Sequence, residues 1–124
     1  MATDLLDLAD RLWNGEAAIE DHLPFDPDQR EPLVDVADGV GFVATWANVA
    51  AVRTGDGLVL VDTGGRPSAR HVHAAVRAWS PDPVHTAVYS HGHIDHVFGI
   101  LAFDEEAAER GRSRPRVVAQ SRSL

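Results

Sequence analysis

Three histidines and an aspartate lie within six consecutive residues of this chain, at His91, His93, Asp95 and His96. Imidazole is a good ligand for zinc and similar divalent metals, and a carboxylate adds negative charge and a harder oxygen donor. The short apolar segment 84–89 precedes them, and its β-branched composition predicts a buried strand. If the chain stays extended past that strand, His91 and His93 project to the same side. We therefore predict that the four residues are metal ligands.

The last two of these residues lie where the strand is expected to give way to a turn. Asp95 and His96 can therefore reach the same point as the first two histidines, or a second metal close by. Two metals about 3.5–4 Å apart form a recurrent hydrolytic arrangement. A single histidine in such a place is more often a core or surface residue, but four ligand-type side chains at this spacing favour a metal site. Asp95 is accordingly a candidate catalytic residue as well as a candidate ligand.

An Asp-Thr-Gly turn lies upstream, where Asp62, Thr63 and Gly64 follow the apolar run 58–61 and precede a helix-like segment. Turn chemistry accounts for these residue types, because aspartate can bond to its own backbone and glycine supplies unusual dihedral angles. The turn therefore needs no functional explanation when it is considered alone.

Together, the two segments resemble a known family. The H-x-H-x-D-H run at 91–96 and the turn that begins at Asp62 are similar, in the same order, to two motifs of the metallo-β-lactamase superfamily. The resemblance covers roughly residues 33–120. The residues at 47–49 and 87–91 are more similar to the alkylsulfatase-like branch than to the antibiotic-hydrolysing branch.

The resemblance implies a fold and a set of residue roles. The implied fold class is α/β, the N-terminal half of an αββα sandwich in which a mixed sheet carries helices on one face. His91 and His93 would bind a first zinc ion, and Asp95 and His96 a second. Asp62 would lie beneath the metals and orient their ligands by hydrogen bonds, which makes it the second candidate catalytic residue. Turn chemistry stays the alternative interpretation of Asp62.

Three later ligands of the family's complete site have no counterpart here: a third histidine for the first metal, a bridging aspartate and a final histidine. No histidine follows His96, Asp104 is the only later aspartate, and Phe98 stands where the family usually has glycine. A catalytic zinc site normally has three protein ligands and a water, and a half-sandwich leaves an apolar sheet face uncovered. We therefore expect a fragment, one of two chains that form a domain, a self-associating half, or a truncated remnant.

Composition limits the other possibilities. The net charge of −8 argues against binding to nucleic acid or to an anionic membrane by electrostatics. Because the chain has no cysteine, any metal must be held by histidines and carboxylates. There is no run of about 18 apolar residues that would predict a transmembrane helix. The N-terminus lacks the pattern of a secretory signal, so the cytoplasm is the default location.

Periodicity and turn residues predict one domain over residues 1–124, with an N-terminal helix and connector at 1–32 and a β/α core at 33–120. The predicted helices are 3–20, 67–79 and one or two turns within 100–110, the connector is 21–32, and the predicted strands are 34–43 in one or two pieces, 48–53, 58–61, 84–89 and 116–120.

Two local patterns give more specific expectations. The Asp-Gly pair within residues 54–57 predicts a hairpin, and the run 58–61 predicts a central strand because it is apolar throughout. His71 and His73 lie two residues apart on a predicted helix and therefore point to different sides. They are poor joint ligands, and we expect both at the surface.

The residues and the resemblance support two hypotheses of different classes. In the first, the chain supplies half the site of a zinc-dependent hydrolase that uses a metal-activated water on a small-molecule ester-type substrate. A sulfate ester is favoured, and a carboxylic ester, thioester or lactam stays open. Self-association or a partner chain would complete the sandwich. In the second, the chain is a truncated, non-catalytic metal-binding or interaction module.

Overall fold

This computed structural model describes residues 2–19 and 32–123. Within them, one helix is followed by four consecutive strands, and helices separate the remaining strands. No helix within these residues is both long enough and apolar enough to cross a membrane. The helices are α1 (Ala2–Trp13), α2 (Ala69–Trp79), α3 (Ile94–Val97) and α4 (Ile100–Glu109), and the strands are β1 (Val34–Ala37), β2 (Val40–Val43), β3 (Val49–Thr54), β4 (Gly57–Val61), β5 (Val84–Val88) and β6 (Arg116–Val118).

The six strands form one mixed sheet in the order β1-β2-β3-β4-β5-β6. The first four strands are antiparallel neighbours, whereas β5 is parallel to both β4 and β6. Thr54 pairs with Gly57 across a two-residue loop, so the predicted hairpin is confirmed. A parallel pair needs a crossover connection, which α2 supplies between β4 and β5. The predicted central strand is confirmed as β4, because it lies between β3 and β5.

The core lies on one face of this sheet, between the strands and the two longer helices that follow β4 and β5. Alternate strand side chains such as Leu60 and Ala87 pack with Val76 of α2 and Phe103 of α4, and all four are buried. The opposite face includes Val61 and Val118, which are 38% and 40% exposed. The sheet therefore carries α2 and α4 on a single face, as the resemblance implies.

The first helix is shorter than predicted. It ends at Trp13 rather than near residue 20, because Gly15 adopts a positive φ of 74° just beyond the helix end. The amide of Gly15 donates to the carbonyl of Leu12, and the amide of Glu16 donates to that of Arg11. These two bonds form the glycine-centred motif that satisfies the last carbonyls of a helix. The predicted connector is 21–32, and all of it except residue 32 lies outside the described residues.

A partly buried ion pair joins α2 to α4 and corrects the expectation that His73 lies at the surface. Arg77 donates to both carboxylate oxygens of Glu106, at 2.7 Å for the closest pair, and His73 Nε2 lies 2.7 Å from Glu106. The His73 ring also packs 5.0 Å from the ring of Phe103. His71 is partly buried, and its Nε2 has no hydrogen-bond partner among the described residues. Both histidines are therefore partly buried and not simply surface residues, and for His73 the reason is that α4 packs against α2.

Replacing Leu60 with alanine tests the core. Leu60 is fully buried in the central strand, so Leu60→Ala removes apolar contacts and leaves a cavity. We expect the free energy of unfolding to fall by roughly 2–5 kcal/mol, measured by urea titration. Leu101→Ala is the matched control, because Leu101 is 41% exposed, and it should change stability by less than about 1 kcal/mol. Equal losses in the two variants would contradict the described core.

Replacing Glu106 with glutamine tests the ion pair. Burial acts to raise the pKa of Glu106, but the hydrogen bonds and charges of Arg77 and His73 outweigh burial, so the pKa lies below its ordinary value. The ionised carboxylate therefore contributes its full stabilisation above the ordinary glutamate pKa, about 4.3, and loses it as pH falls through the lower folded-state pKa.

We expect Glu106→Gln to lower the free energy of unfolding by roughly 1–3 kcal/mol at pH 7, and this difference to shrink in acid. Denaturant titrations of both proteins across this pH range provide the measurement. The exposed Glu105 offers the control substitution Glu105→Gln, which should have little effect. A difference for Glu106→Gln that persists unchanged in acid would show that the carboxylate charge is not what stabilises the contact.

Candidate metal centre

Two parallel strands bring the two sequence motifs together. The carboxyl ends of neighbouring parallel strands meet at one edge of a sheet, and β4 leads directly into Asp62 while β5 leads to Ser90. The amide of Asp62 donates to the carbonyl oxygen of Val88 at 2.8 Å, which extends the pairing of β4 and β5 by one residue. The candidate site therefore lies on the carboxyl edge of the sheet, where open α/β sheets commonly bind ligands.

The Asp-Thr-Gly turn holds the end of the histidine motif through its backbone and its threonine hydroxyl. Thr63 is fully buried, and its hydroxyl lies 3.0 Å from the carbonyl oxygens of both His96 and Val97, to which it donates. The Thr63 amide also donates to the carbonyl of His96, at 2.8 Å. These bonds fix the position of α3 against the turn.

The close approach of the Asp-Thr-Gly turn to the segment after the histidine run leaves no room for a side chain at Gly99. The amide of Gly99 donates to the carbonyl oxygen of Gly64 at 2.8 Å, and a Cβ atom at Gly99 would overlap the carbonyl oxygen of Thr63. A Cβ atom at Gly65 would come within 3.0 Å of the Cα atom of Asp95. Glycine at these positions thus lets the turn and the histidine segment approach as closely as they do.

The carboxylate of Asp62 is buried and receives three hydrogen bonds. The Ser90 amide donates to Oδ1 at 2.8 Å, the Ser90 hydroxyl to Oδ2 at 2.6 Å, and His96 Nδ1 to Oδ2 at 2.9 Å. Burial acts to raise the pKa of Asp62, but the bonds from Ser90 and His96 outweigh burial, so the pKa lies below its ordinary value. Asp62 is therefore an ionised acceptor at neutral pH. Its backbone φ of 59° is left-handed, a conformation that aspartate adopts more readily than most residues.

The three histidines of the run cluster beside this carboxylate. The ring centroid of His91 lies 4.5 Å from that of His93 and 4.0 Å from that of His96. His96 Nε2 lies 3.7 Å from a carboxylate oxygen of Asp95. His91 thus neighbours His93 and His96, and His96 neighbours Asp95. The bond between Asp62 and His96 Nδ1 leaves Nε2 as the nitrogen that is available to a metal.

The residue types fit zinc, since imidazole and carboxylate are its usual ligands in the absence of cysteine. The bond from His96 to a carboxylate is also the arrangement that commonly orients a metal-bound histidine. However, within residues 2–19 and 32–123, no group of three or more histidine, cysteine, aspartate or glutamate side chains is arranged so that it could hold a metal ion. The assignment of His91, His93, Asp95 and His96 as ligands therefore stays a prediction.

Sequence reasoning gave no role to two hydroxyl side chains that shape the site. Ser90 contacts both Asp62 and His91, and Thr63 fixes the turn at α3. Ser90 directly precedes the histidine run and Thr63 belongs to the Asp-Thr-Gly turn, so their positions in the sequence suggested a part in the site. Only the folded chain shows what they contact. At the rim, the Arg66 guanidinium lies 5.9 Å from the ring centroid of Phe98, which is 41% exposed.

Comparison with known proteins gives matches of three kinds. The family model described as the metallo-beta-lactamase superfamily matches residues 47–117. The linear primary-alkylsulfatase of Pseudomonas sp. (strain ATCC 19151) is 41% identical over 61 residues, which are 48% of this chain and 12% of that protein. A subclass B3 metallo-beta-lactamase of Bradyrhizobium japonicum superposes with a TM-score of 0.62 at 21% identity, over 76% of this chain and 35% of that one. A stereoselective inverting sec-alkylsulfatase from Pseudomonas sp. superposes with a TM-score of 0.53 at 30% identity, over 71% of this chain and 14% of that one.

These matches show the fold and show how much of each relative's length this chain spans. The lactamase superposition confirms the predicted α/β class, a mixed sheet with helices, and it supports the fold alone because the identity is low. The chain spans about an eighth of the length of the curated alkylsulfatase and about a third of the lactamase. The described fold is therefore one part of the complete fold of those proteins.

Replacing Gly99 with alanine tests the close contact between the turn and α4. The added Cβ would overlap the Thr63 carbonyl oxygen, so the backbone must shift. We expect a loss of about 3 kcal/mol or more in the free energy of unfolding, at the upper end for overpacking. Gly55→Ala is the control, because a Cβ there meets nothing within 4 Å. Thermal unfolding followed by circular dichroism compares the two, and a Gly99→Ala variant as stable as Gly55→Ala would contradict the described contact.

Proposed function

The chain belongs to the metallo-beta-lactamase superfamily, and we propose that it supplies part of the active site of a metal-dependent hydrolase. The observation that carries this proposal is the cluster of three imidazoles, with centroids 4.0 and 4.5 Å apart, beside the ionised carboxylate of Asp62. A buried carboxylate that orients imidazoles is typical of a metal centre and has no evident use in a bare turn.

We assign the residue roles as the sequence predicts them. His91 and His93 bind a first zinc ion, and Asp95 and His96 bind a second. Zinc held there would supply the Lewis acidity that hydrolysis of an ester-type bond requires. Asp62 orients the ligand His96 without binding a metal itself. Its bond to His96 Nδ1 turns the other ring nitrogen, Nε2, towards the metal.

We infer the class of substrate from the relatives. The curated relative with 41% identity over 61 residues is an alkylsulfatase, and a solved relative with 30% identity is a sec-alkylsulfatase. A sulfate ester is therefore the favoured substrate, while a carboxylic ester, a thioester or a lactam is the alternative. The substrate is a small molecule in each case, and we place the reaction in the cytoplasm.

The first metal needs a further ligand from outside the described site, because a catalytic zinc normally has three protein ligands and a water. Additional polypeptide would supply it, whether further residues of the same polypeptide, a partner chain or a second copy of this chain. The competing proposal is a non-catalytic metal-binding or interaction module. Its interaction form is consistent with the described residues, among which no three ligand-type side chains are arranged to hold a metal ion.

Zinc stoichiometry combined with native mass distinguishes these proposals. Protein purified without chelator should carry close to two zinc ions per chain and appear as a dimer or with a co-purifying partner. His93→Ala should abolish tight zinc binding and leave the fold largely intact, because His93 is exposed. Plasma emission spectrometry and native mass spectrometry provide the two readings.

The matched control is His85→Ala, which removes an exposed histidine that bonds to its neighbour Thr86 and not to the cluster. It should retain the zinc content of the natural sequence. Unchanged zinc content in His93→Ala would refute the ligand assignment. A zinc-free monomer of the natural sequence would refute the hydrolase proposal and favour the non-catalytic module.

A further inference from the structure

Ser90 lies between the buried carboxylate and the first histidine of the run. Its Oγ is 2.6 Å from Asp62 Oδ2 and 2.9 Å from His91 Nδ1. Asp62 thereby contacts His96 directly and His91 through one intervening hydroxyl. The backbone amide of Ser90 also donates to Asp62, which fixes the serine relative to the carboxylate.

The number of available protons decides which group donates in the two hydrogen bonds that link Asp62, Ser90 and His91. A serine hydroxyl carries one proton and accepts through its lone pairs. The Asp62 carboxylate accepts from the Ser90 amide at Oδ1, and its Oδ2 lies 2.6 Å from the Ser90 hydroxyl, so the Ser90 proton is directed to Asp62. The Ser90 oxygen must then accept from His91, and the proton of the neutral imidazole must reside on Nδ1. The remaining nitrogen, Nε2, keeps its lone pair.

We propose that Ser90 is a positioning residue: it donates a hydrogen bond to Asp62, accepts one from His91, and so holds the His91 imidazole in the Nδ1–H tautomer. One carboxylate then sets the tautomers of two histidines, His96 directly and His91 through Ser90. Both rings present an unprotonated Nε2, the form in which a neutral imidazole binds a metal. The use of that nitrogen for zinc rests on the proposed function, whereas the tautomer does not.

The tautomer of His91 can be observed without any metal. Long-range ¹H–¹⁵N correlation spectra of the metal-free 124-residue chain at about pH 8, above the ordinary histidine pKa, report which ring nitrogen carries the proton. We expect the Nδ1–H form to predominate for both His91 and His96. In Ser90→Ala, His91 should lose this preference and show substantial Nε2–H form, because its acceptor is gone.

Two controls separate this effect from a general disturbance of the fold. His96 should keep its Nδ1–H form in Ser90→Ala, since it bonds directly to Asp62. Ser90→Thr retains the hydroxyl at an exposed position and should restore the Nδ1–H form of His91. A predominant Nε2–H form in the natural sequence, or an unchanged Nδ1–H form in Ser90→Ala, would overturn the proposal.

Zinc affinity, measured by competition with a chromogenic chelator, tests the consequence. Loss of an outer partner of a metal ligand typically weakens binding about 10–100-fold, so Ser90→Ala should bind zinc at least about 10-fold more weakly, and Ser90→Thr should stay close to the natural chain. Equal affinity in Ser90→Ala would overturn the link between tautomer and metal. If the natural sequence binds no zinc, the proposed function fails, and the spectra still decide the role of Ser90.

Discussion

The structure of the site depends on a buried carboxylate, Asp62, that must be fully hydrogen-bonded. An ionised group removed from water is costly unless nearby donors replace its hydration. Those donors come from Ser90 and His96, which lie 28 and 34 residues further along the chain. The buried carboxylate therefore needs the histidine run to lie beside the turn, because Ser90 and His96 supply its hydrogen bonds.

The fold meets this requirement by ordinary packing. The parallel pair β4 and β5 ends beside the carboxylate, and α2 is the connection that makes the pair parallel. The buried Leu60 and Phe103 hold the sheet against the helices, and the ion pair between Arg77 and Glu106 joins α2 to α4. The absence of a side chain at Gly99 then lets the turn and the start of α4 touch. Together these contacts place the segment that carries the imidazoles against the turn.

The same geometry explains why the site is both ordered and open. On the inner side, Asp62 and Thr63 are buried and bonded, whereas His91 and His93 are exposed at the sheet edge. The sheet face that includes Val61 and Val118 is also partly exposed. The chain spans only about a third of the lactamase that it superposes on, so under the proposed function these exposed surfaces are open to contact with additional polypeptide. The charge and hydrogen bonds that orient the imidazoles already reside in this chain.

Local patterns in the sequence determined the strands, the hairpin at 54–57 and the set of candidate ligands, because strand periodicity, turn chemistry and ligand spacing act over a few residues. The mixed sheet was expected only because the two motifs resemble those of a known family. The glycine that ends α1 was a local signal too, but its positive φ is visible only in the folded helix end. Tertiary structure alone decided that His73 pairs with Glu106 and that Ser90 lies between Asp62 and His91. His73 and Glu106 are 33 positions apart, and Asp62 and Ser90 are 28 positions apart. No local pattern specifies which side chains meet over such separations, where one helix packs on another or two strands end side by side.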